Sequence, residues 1–449
     1  MRLRDGSRIA ILGGGPAGSL FAHFALLIAR ELGIGLDITV YDGKSFSKAG
    51  ARGCNMCAGV IAKSYADYLR AAGIELPPNV VQRKIEGYWL ETPVGSIYLH
   101  HELEPGGILT VYRGNGPRGS SYQGNISFDD YLLERVRKQG VRVVPSYVTD
   151  LKLPASPDKP ATVVYGQGGD VESAEADLVV GAFGLNSRMA QHIGDMGFGY
   201  RPPKSIRAFQ AEVRLDPNDI QAGFGDAIHV YALRLPGVKF SAITPKYEYL
   251  TVTLVGDTVG EKEMSSLLNH PIVRRRLPAD WQPPSAYCHC GPRVAASSCR
   301  HPYADRLVIV GDASDSRLYK NGLESSLITA RAAAEAALRF GVSAESFRDH
   351  YYPVCRAISR DSAYGRIIFW AEELFFANDV TTGTLLNAAR LEQQRYEMRE
   401  QLINELLWSL LTGNRPYQDI FLMSVNPKVH FRTWSKTVRS VWKKKTSHG

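Results

Sequence analysis

The sequence predicts an α/β fold in which a parallel-sheet domain is interrupted by an antiparallel sheet and followed by helices. Three observations predict it. A strand, a glycine-rich turn, a helix, a second strand and an acid follow one another over residues 8–42. Long alternating strands then dominate residues 205–256, and from Ser343 onward the apolar spacing is helical.

The opening stretch explains itself piece by piece. Arg8–Leu12 is a short apolar run that reads as a buried strand. Gly13-x-Gly15-x-x-Gly18 follows, with Pro16 and Ala17 inside it. Gly13 permits the tight turn, Gly15 lets backbone approach a pyrophosphate, and Gly18 lets helix and strand pack closely. The helix start offers unpaired N–H groups and a positive dipole end to phosphates. Asp37–Tyr41 makes the second strand, and Asp42, 24 residues past Gly18, is placed to accept from ribose hydroxyls. Together these predict a Rossmann-type dinucleotide domain. Gly114-x-Gly116-x-x-Gly119 has the same spacing, but SSYQGNIS after it is no helix, so it reads as a polar loop. One dinucleotide fold is therefore expected.

Farther along, residues 43–62 form a glycine- and cysteine-bearing loop leading to a helix at Ser64–Ala72. Lys84–Thr92 and Ser96–His101 read as a hairpin, Asp129–Gln139 as an amphipathic helix and Val141–Pro145 as a strand. A loop rich in proline and glycine leads to a buried strand at Ala176–Gly181. The segments RAFQAEVRL, AIHVYALRL, KFSAI and YEYLTVTLVG form an inserted antiparallel sheet, the natural wall for a substrate. Arg306–Val310 is another buried strand, and Gly322–Arg339 an alanine-rich helix. The expected division is 1–75, 105–200 and 290–340 for the discontinuous nucleotide domain, 76–104 and 201–289 for the substrate domain, and 341–449 for a helical region.

Composition narrows the class. The 449 residues suffice for two or three domains, with 44% hydrophobic and 22% charged residues. No apolar run reaches eighteen residues, and the N-terminus passes directly into a strand, so the expectation is a cytoplasmic protein without spanning helix or signal peptide. Six cysteines are too few for a disulfide framework. The net charge of +8 is concentrated at the end, where no acid follows Asp419 while Lys428, Arg432, Lys436, Arg439, Lys443, Lys444 and Lys445 supply seven positive charges. That distribution argues against nucleic-acid binding by the body of the protein. No GxSxG nucleophile pattern or P-loop is present.

Two further stretches carry chemistry. The strand Arg306–Val310 ends in Gly311-Asp312-Ala313, which puts one carboxylate at a strand's C-terminal end, over the same crevice as the glycine turn. Lys320-Asn321-Gly322-Leu323 then opens a helix whose N-terminus, with Lys320, is suited to stabilise negative charge on a reduced cofactor ring.

With these residues in hand, the chain resembles the FAD-dependent oxidoreductases built like p-hydroxybenzoate hydroxylase, and among them the geranylgeranyl reductase family. The resemblance covers roughly residues 8–340 and four motifs: GGGPAG with Asp42, CAGVI at Cys57–Ile61, DLVVGAFGLNSR at Asp177–Arg188, and RLVIVGDA. It implies FAD contacts from Gly13, Gly15, Pro16, Ala17, Gly18 and Asp42, from Ala58 and Gly59 in a loop crossing the flavin, and from Gly184. It also implies contacts from Gly311, Asp312, Asn321, Gly322 and Leu323. The chain departs from the family's usual pattern at Phe183, where an aspartate is usual, and at Asn125, where an arginine is usual. FSAITPK keeps only Pro245 of an aromatic-rich strand ending in Phe-Pro.

Cys54-x-x-Cys57 and Cys288-x-Cys290 admit three readings: packing residues, flavin-linked thiols, or an iron–sulfur or zinc site joining both pairs. A CxxC pair near a helix start has a depressed thiol pKa, which suits a proton donor, so Cys57 and Cys54 are the candidate acids and Lys320 their companion. The expected function is FAD-dependent hydride transfer to a hydrophobic or amphipathic small molecule, with the flavin reduced by diffusing NAD(P)H or by another protein. Oxygen-dependent hydroxylation and a flavin-free prenyl-lipid escort remain alternatives, because one fold serves all three. Asn426-Pro427 is a helix-start signal. After it, Lys428, Arg432, Lys436, Arg439 and Lys443 fall opposite Phe431, Trp434, Val438, Val441 and Trp442 on a helical wheel. That pattern predicts an interfacial helix and a peripheral place on the inner face of an anionic membrane.

Overall fold

The computed structural model describes residues 1–101, 107–156, 158–167, 170–284 and 286–429. The proposed tail helix beyond Val429 therefore lies outside the described residues. At the centre is a six-stranded sheet. Its core is β1 (Ser7–Leu12) flanked by β2 (Leu36–Tyr41) and β3 (Leu178–Gly181), with β4 (Leu307–Ile309) beyond β3. All four are parallel, and Tyr303–Ala304 adds an antiparallel edge. Leu12 pairs with both Tyr41 and Gly181, and Gly181 with Ile309, so Gly13, Asp42, Ala182 and the Gly311 turn emerge at one sheet edge. That shared edge is where ligands bind in open α/β sheets.

Helix α1 (Pro16–Leu32) covers one face of this sheet. Leu20, Phe21, Ala22 and Ala25 are fully buried on it, the two large side chains contributing about 1.5–3 kcal/mol each. It packs along α2 (Gly322–Glu335), where Ala330, Ala333 and Ala334 are small enough for close helix approach.

The inserted sheet holds eight strands. Ser205–Arg214, Tyr249–Gly256, Val238–Pro245, Ala227–Tyr231, Gly87–Thr92 and Gly95–His100 run in that order across it. Its pairs are antiparallel except one: Ala227–Tyr231 runs parallel to Gly87–Thr92. The expected hairpin is present as Gly87–Thr92 with Gly95–His100. Val81–Ile85, however, turns away to join Ile108–Val111. The stretch read as a Pro/Gly loop contains a three-stranded sheet, Val148–Lys152, Ala161–Gln167 and Asp170–Ala176. DVESAEA has no apolar alternation because most of its residues face solvent.

The C-terminal region is helical as expected. It includes α3 (Tyr352–Phe376), α4 (Leu402–Thr412) and α5 (Tyr417–Ser424). Among the described residues, no helix is long and apolar enough to cross a membrane.

Candidate functional site

The glycine turn has the geometry its sequence implies. Gly13 sits at φ +112°, and a Cβ there would lie 2.5 Å from the Ala182 carbonyl oxygen. A Cβ on Gly18 would lie 1.9 Å from the Gly13 oxygen and 3.0 Å from Ile11. Gly15 differs, because its Cβ would meet only the Asn55 amide at 3.2 Å. The space beyond it is open cavity. Gly15 is also the N-cap of α1, which has neither a side-chain cap nor an acid in its first turn. Its N–H groups and dipole are left for an anion.

Asp42 braces this loop. Its carboxylate accepts from Gly14 N and Lys44 N, both at 2.8 Å, and burial raises its pKa against those two donors. Asp312 follows Gly311, which stands at φ +67°. The Asp312 Oδ1 atom is shielded from solvent and has no hydrogen-bond partner among the described residues. Burial raises its pKa, with the Ser316 hydroxyl opposing. An unsatisfied buried acceptor costs about 1–3 kcal/mol, so this one is poised for a donor from the cavity it lines.

At the start of α2, Asn321 is left-handed at φ +53° and its side chain does not cap the helix. Its amide instead donates to Gly413 O at 2.9 Å, just past α4. Gly322 has no room for a side chain, since a Cβ would come within 3.0 Å of Asp312 Oδ1. Lys320 donates to Leu410 O, and to Leu411 O at 3.2 Å. Its ammonium therefore sits on the negative end of the α4 dipole, and burial pulls its pKa down to about 8. The charge expected to act on a cofactor ring is engaged by this helix end.

The cysteine loop lies across the same crevice. Cys57 lines the cavity, accepts from Gly59 N at 3.4 Å and lies against the Arg113 guanidinium. Cys54 is not part of the cavity lining and accepts from Met56 N at 3.2 Å. Burial pushes its thiol up, opposite to the depressed pKa expected from a CxxC at a helix start, because no helix begins there. Cys288–Cys290 is a strand paired with Ser205–Arg214, which brings Cys290 to Gln210 and within electrostatic reach of Cys54. Burial, aided by Cys54 and Glu212, pushes Cys290 up to about 12. The two cysteine motifs thus converge. All six thiols are free, and the described residues contain no cluster of three or more His, Cys, Asp or Glu arranged to hold a metal ion. The four-cysteine metal reading has no preformed site to support it.

Sequence reasoning missed three residues. Arg113 forms a buried ion pair with Asp129, to which its Nη2 also donates at 3.0 Å, and faces the cavity. Burial works against its charge, yet the Asp129 carboxylate outweighs burial and raises its pKa. Asn55 donates to the same carboxylate and accepts from Lys44 Nζ at 2.9 Å. Glu372 of α3 also lines the cavity, with its pKa raised by burial against the pull of Lys320. The second glycine spacing has its own explanation: a Cβ on Gly114 would strike Gly53 C at 2.6 Å, so that glycine lets the cysteine loop lie close. Phe183, where the family's aspartate was missed, folds back against Gly181.

Gly13, Gly15, Asp42, Cys57, Arg113 and Asp312 border one cavity of about 1250 Å³, together with Asn55, Lys320, Asn321 and Glu372. One end is polar, with Gly13, Gly15, Asp42 and Asp312. The other follows the inserted sheet along Tyr88, Leu90, Ile228, Val230 and Ala242. Single-ligand pockets span roughly 300–1,000 Å³, so this volume accommodates two molecules with different chemistry.

No protein-family profile matches the chain. A geranylgeranyl diphosphate reductase of Synechocystis is 26% identical over 255 residues, 55% of this chain and 54% of that protein. The chloroplastic geranylgeranyl diphosphate reductase of Arabidopsis thaliana is 25% identical over 234 residues, 50% of this chain and 42% of that one. The chain thus spans about half the length of the curated relatives it matches. In fold, a geranylgeranyl bacteriochlorophyll reductase-like protein of Thermoplasma acidophilum superposes with a TM-score of 0.64 at 15% identity, over 98% of this chain and 99% of that one. A p-nitrophenol 4-monooxygenase of Pseudomonas putida gives 0.60 at 16% identity, over 94% and 98%. The α/β fold with inserted sheet and helical C-terminal region is shared along nearly the whole chain, and the sequence resemblance lies with the geranylgeranyl reductases.

Proposed function

We propose that the protein is an FAD-dependent oxidoreductase acting on a lipophilic, isoprenoid-like small molecule, with reduction of a carbon–carbon double bond as its reaction. The observation that carries this reading is one cavity joining an anion-ready helix start and a buried carboxylate with one unpartnered oxygen to an apolar sheet face. The polar end fits FAD. The α1 N-terminus and Gly15 would hold the pyrophosphate, the unpartnered Asp312 Oδ1 would accept from a sugar-chain hydroxyl, and the α2 N-terminus would face the ring. When bound, FAD supplies hydride chemistry, with electrons from NAD(P)H or from a protein donor.

The chain's own residues do the rest. Ile228, Val230, Leu90 and Ala242 exclude water along the substrate path and align an apolar chain by shape. Cys57 Sγ, facing the cavity beside Arg113, is the candidate to give up the proton that a reduced double bond requires. Arg113, fixed by Asp129, is the positioning residue behind it.

The test is direct. Purified protein should be yellow, absorbing near about 450 nm, and should saturate a prenyl substrate when NAD(P)H or dithionite supplies electrons. A colourless protein that stays free of flavin when FAD is added would overturn the reading. A flavoprotein that consumes oxygen to hydroxylate the substrate would overturn the reaction while keeping the cofactor.

A further inference from the structure

Helix α3 is a single layer with two dissimilar faces. Phe369, Glu372 and Phe376 line the cavity, and Phe376 packs beside its apolar sheet wall. On the opposite face, within an arc of about 60° at 100° per residue, lie Ile367, Trp370 and Leu374, which are 48%, 62% and 52% exposed. Arg356 and Arg360, both exposed, continue this stripe toward the helix start at the same spacing. Helix α5 packs beside α3 through Phe421 on Tyr364, and it leaves Leu422 and Val425 exposed. Isolated exposed apolar residues are ordinary, but a tryptophan-centred stripe along one face of a helix is not.

We propose that the outer face of α3 docks the protein on an anionic lipid surface so that a lipophilic substrate passes beneath or around α3 into the cavity. The occupant is argued from charge and from continuity. Arg356 and Arg360 stand in line with the apolar residues, and exposed Lys428 follows α5 at the start of the stretch that carries seven basic residues and no acid. Basic residues beside tryptophan and leucine match an interfacial surface: the apolar groups enter the headgroup boundary and the arginines meet anionic headgroups. The stripe also lies one helix diameter, about 10 Å, from the apolar end of the cavity. An isoprenoid chain leaving a bilayer there would be spared a long passage through water, each exposed CH₂ of which costs about 0.8 kcal/mol.

This inference rests on the reading of the cavity as a lipophilic-substrate site, and the experiment separates the two. Full-length protein is sedimented with vesicles of phosphatidylglycerol and phosphatidylcholine in equal parts, and with phosphatidylcholine alone, at low and high salt. The W370E/L374E and R356Q/R360Q variants and a chain ending at Val429 are treated alike. Flavin absorbance and oligomeric state are read for each. The expected result is salt-sensitive pelleting of the wild type with the anionic vesicles, reduced about tenfold or more in W370E/L374E. R356Q/R360Q should lose the preference for anionic over neutral vesicles, and flavin content should be unchanged throughout. If W370E/L374E fails to fold, R356Q/R360Q decides alone.

Wild-type protein that ignores the vesicles overturns the proposal, as does W370E/L374E pelleting like the wild type. Loss of all pelleting on removal of the tail alone, or a wild-type oligomer that W370E/L374E dissociates, also overturns it. The first would assign the anchor to the tail, the second would make this face a contact between copies. Failure of the function reading would show instead as absent flavin, whatever the vesicles do.

Discussion

Gly15 offers the sharpest separation between a fold requirement and a ligand requirement. The three motif glycines look alike in sequence, yet the room around them differs. An alanine at Gly18 would place Cβ 1.9 Å from the Gly13 carbonyl oxygen, and at Gly13 2.5 Å from that of Ala182. Both obstacles are backbone, so each substitution forces the turn or the helix to move and should destabilise by about 1–3 kcal/mol or more. At Gly15 the backbone is at φ −65°, ψ −175°, which any residue adopts. The nearest obstacle is the Asn55 side-chain amide at 3.2 Å. Gly15→Ala should therefore change stability by no more than about 0.5 kcal/mol. Gly15→Val, whose methyls reach farther into the cavity, should still fold. What both alter is the approach of an anion to the α1 N-terminus. Losing one charge-assisted hydrogen bond there is worth about 1.5–3 kcal/mol. Flavin affinity should accordingly fall about a hundredfold, which at 1.4 kcal/mol per decade is about 2.8 kcal/mol. Flavin content by absorbance, FAD titration of apoprotein, and thermal denaturation followed by circular dichroism check this together. A Gly15→Val protein with full flavin, or one that loses stability as Gly18→Ala does, would refute the assignment of the helix start to a phosphate.

Other outcomes follow from the same geometry. Asp315 is buried, accepts from Cys299 at 3.3 Å, and burial lifts its pKa to about 6. A carboxyl raised above its unfolded value binds more protons folded than unfolded between about pH 4 and 6. Stability should thus fall across that window and stay reduced above it by about 2 to 3 kcal/mol. Asp315→Asn should abolish this slope in denaturation curves taken from pH 4 to 8, and an unchanged slope would exclude Asp315 as its source. Asp312→Ala should lower flavin affinity about tenfold or more by removing the orphaned acceptor, measured by FAD titration. Cys57→Ser should keep its flavin and slow turnover about tenfold or more, whereas Cys54→Ser, outside the cavity lining, should turn over normally; steady-state rates distinguish them. Lys320→Met should lower the melting temperature by leaving the Leu410 and Leu411 carbonyls without their donor while the flavin reduction potential stays put. A shifted potential with unchanged stability would return Lys320 to the cofactor ring.

Much of the crevice was legible because its determinants are local. A strand followed by GGGPAG, or by GDA, carries its own geometry: the turn, the helix start and the acid lie within a few residues of one another. What escaped lies where partners are far apart in sequence. Arg113 stands just before the Gly114 loop with no motif of its own, and only its pairing with Asp129 on the following helix gives it a place in the cavity. Glu372 sits near the end of α3 beside Glu373, and nothing near it in sequence says that it faces the cavity. Lys320 was read from its position before α2, whereas its role is set by carbonyls about 90 residues later in α4. The sheet at 148–176 escaped for another reason. Its outer strand is polar and solvent-facing, so the alternation that marks a half-buried strand never appears.

The long-range contacts also give the helical region a share in the polar end of the cavity. Arg317 donates to Gly413 O and pairs with Asp361 at 3.2 Å, Lys320 holds the last carbonyls of α4, and Asn321 holds Gly413. Every contact lies within the five residues leading into α2, where the left-handed Asn321 must be kept in place for the helix N-terminus to face the crevice. A non-glycine residue at positive φ persists only where its surroundings determine it, and here the surroundings are α3 and the α4–α5 turn. The same α3 supplies Glu372 to the cavity and Trp370 to the surface. Movement of α3 at its outer face would therefore be felt at Lys320 and Asn321 through a contiguous set of hydrogen bonds and packed helices. On this geometry, the helices that follow the parallel-sheet domain are a wall of the site and the means by which its polar and apolar ends are held in register.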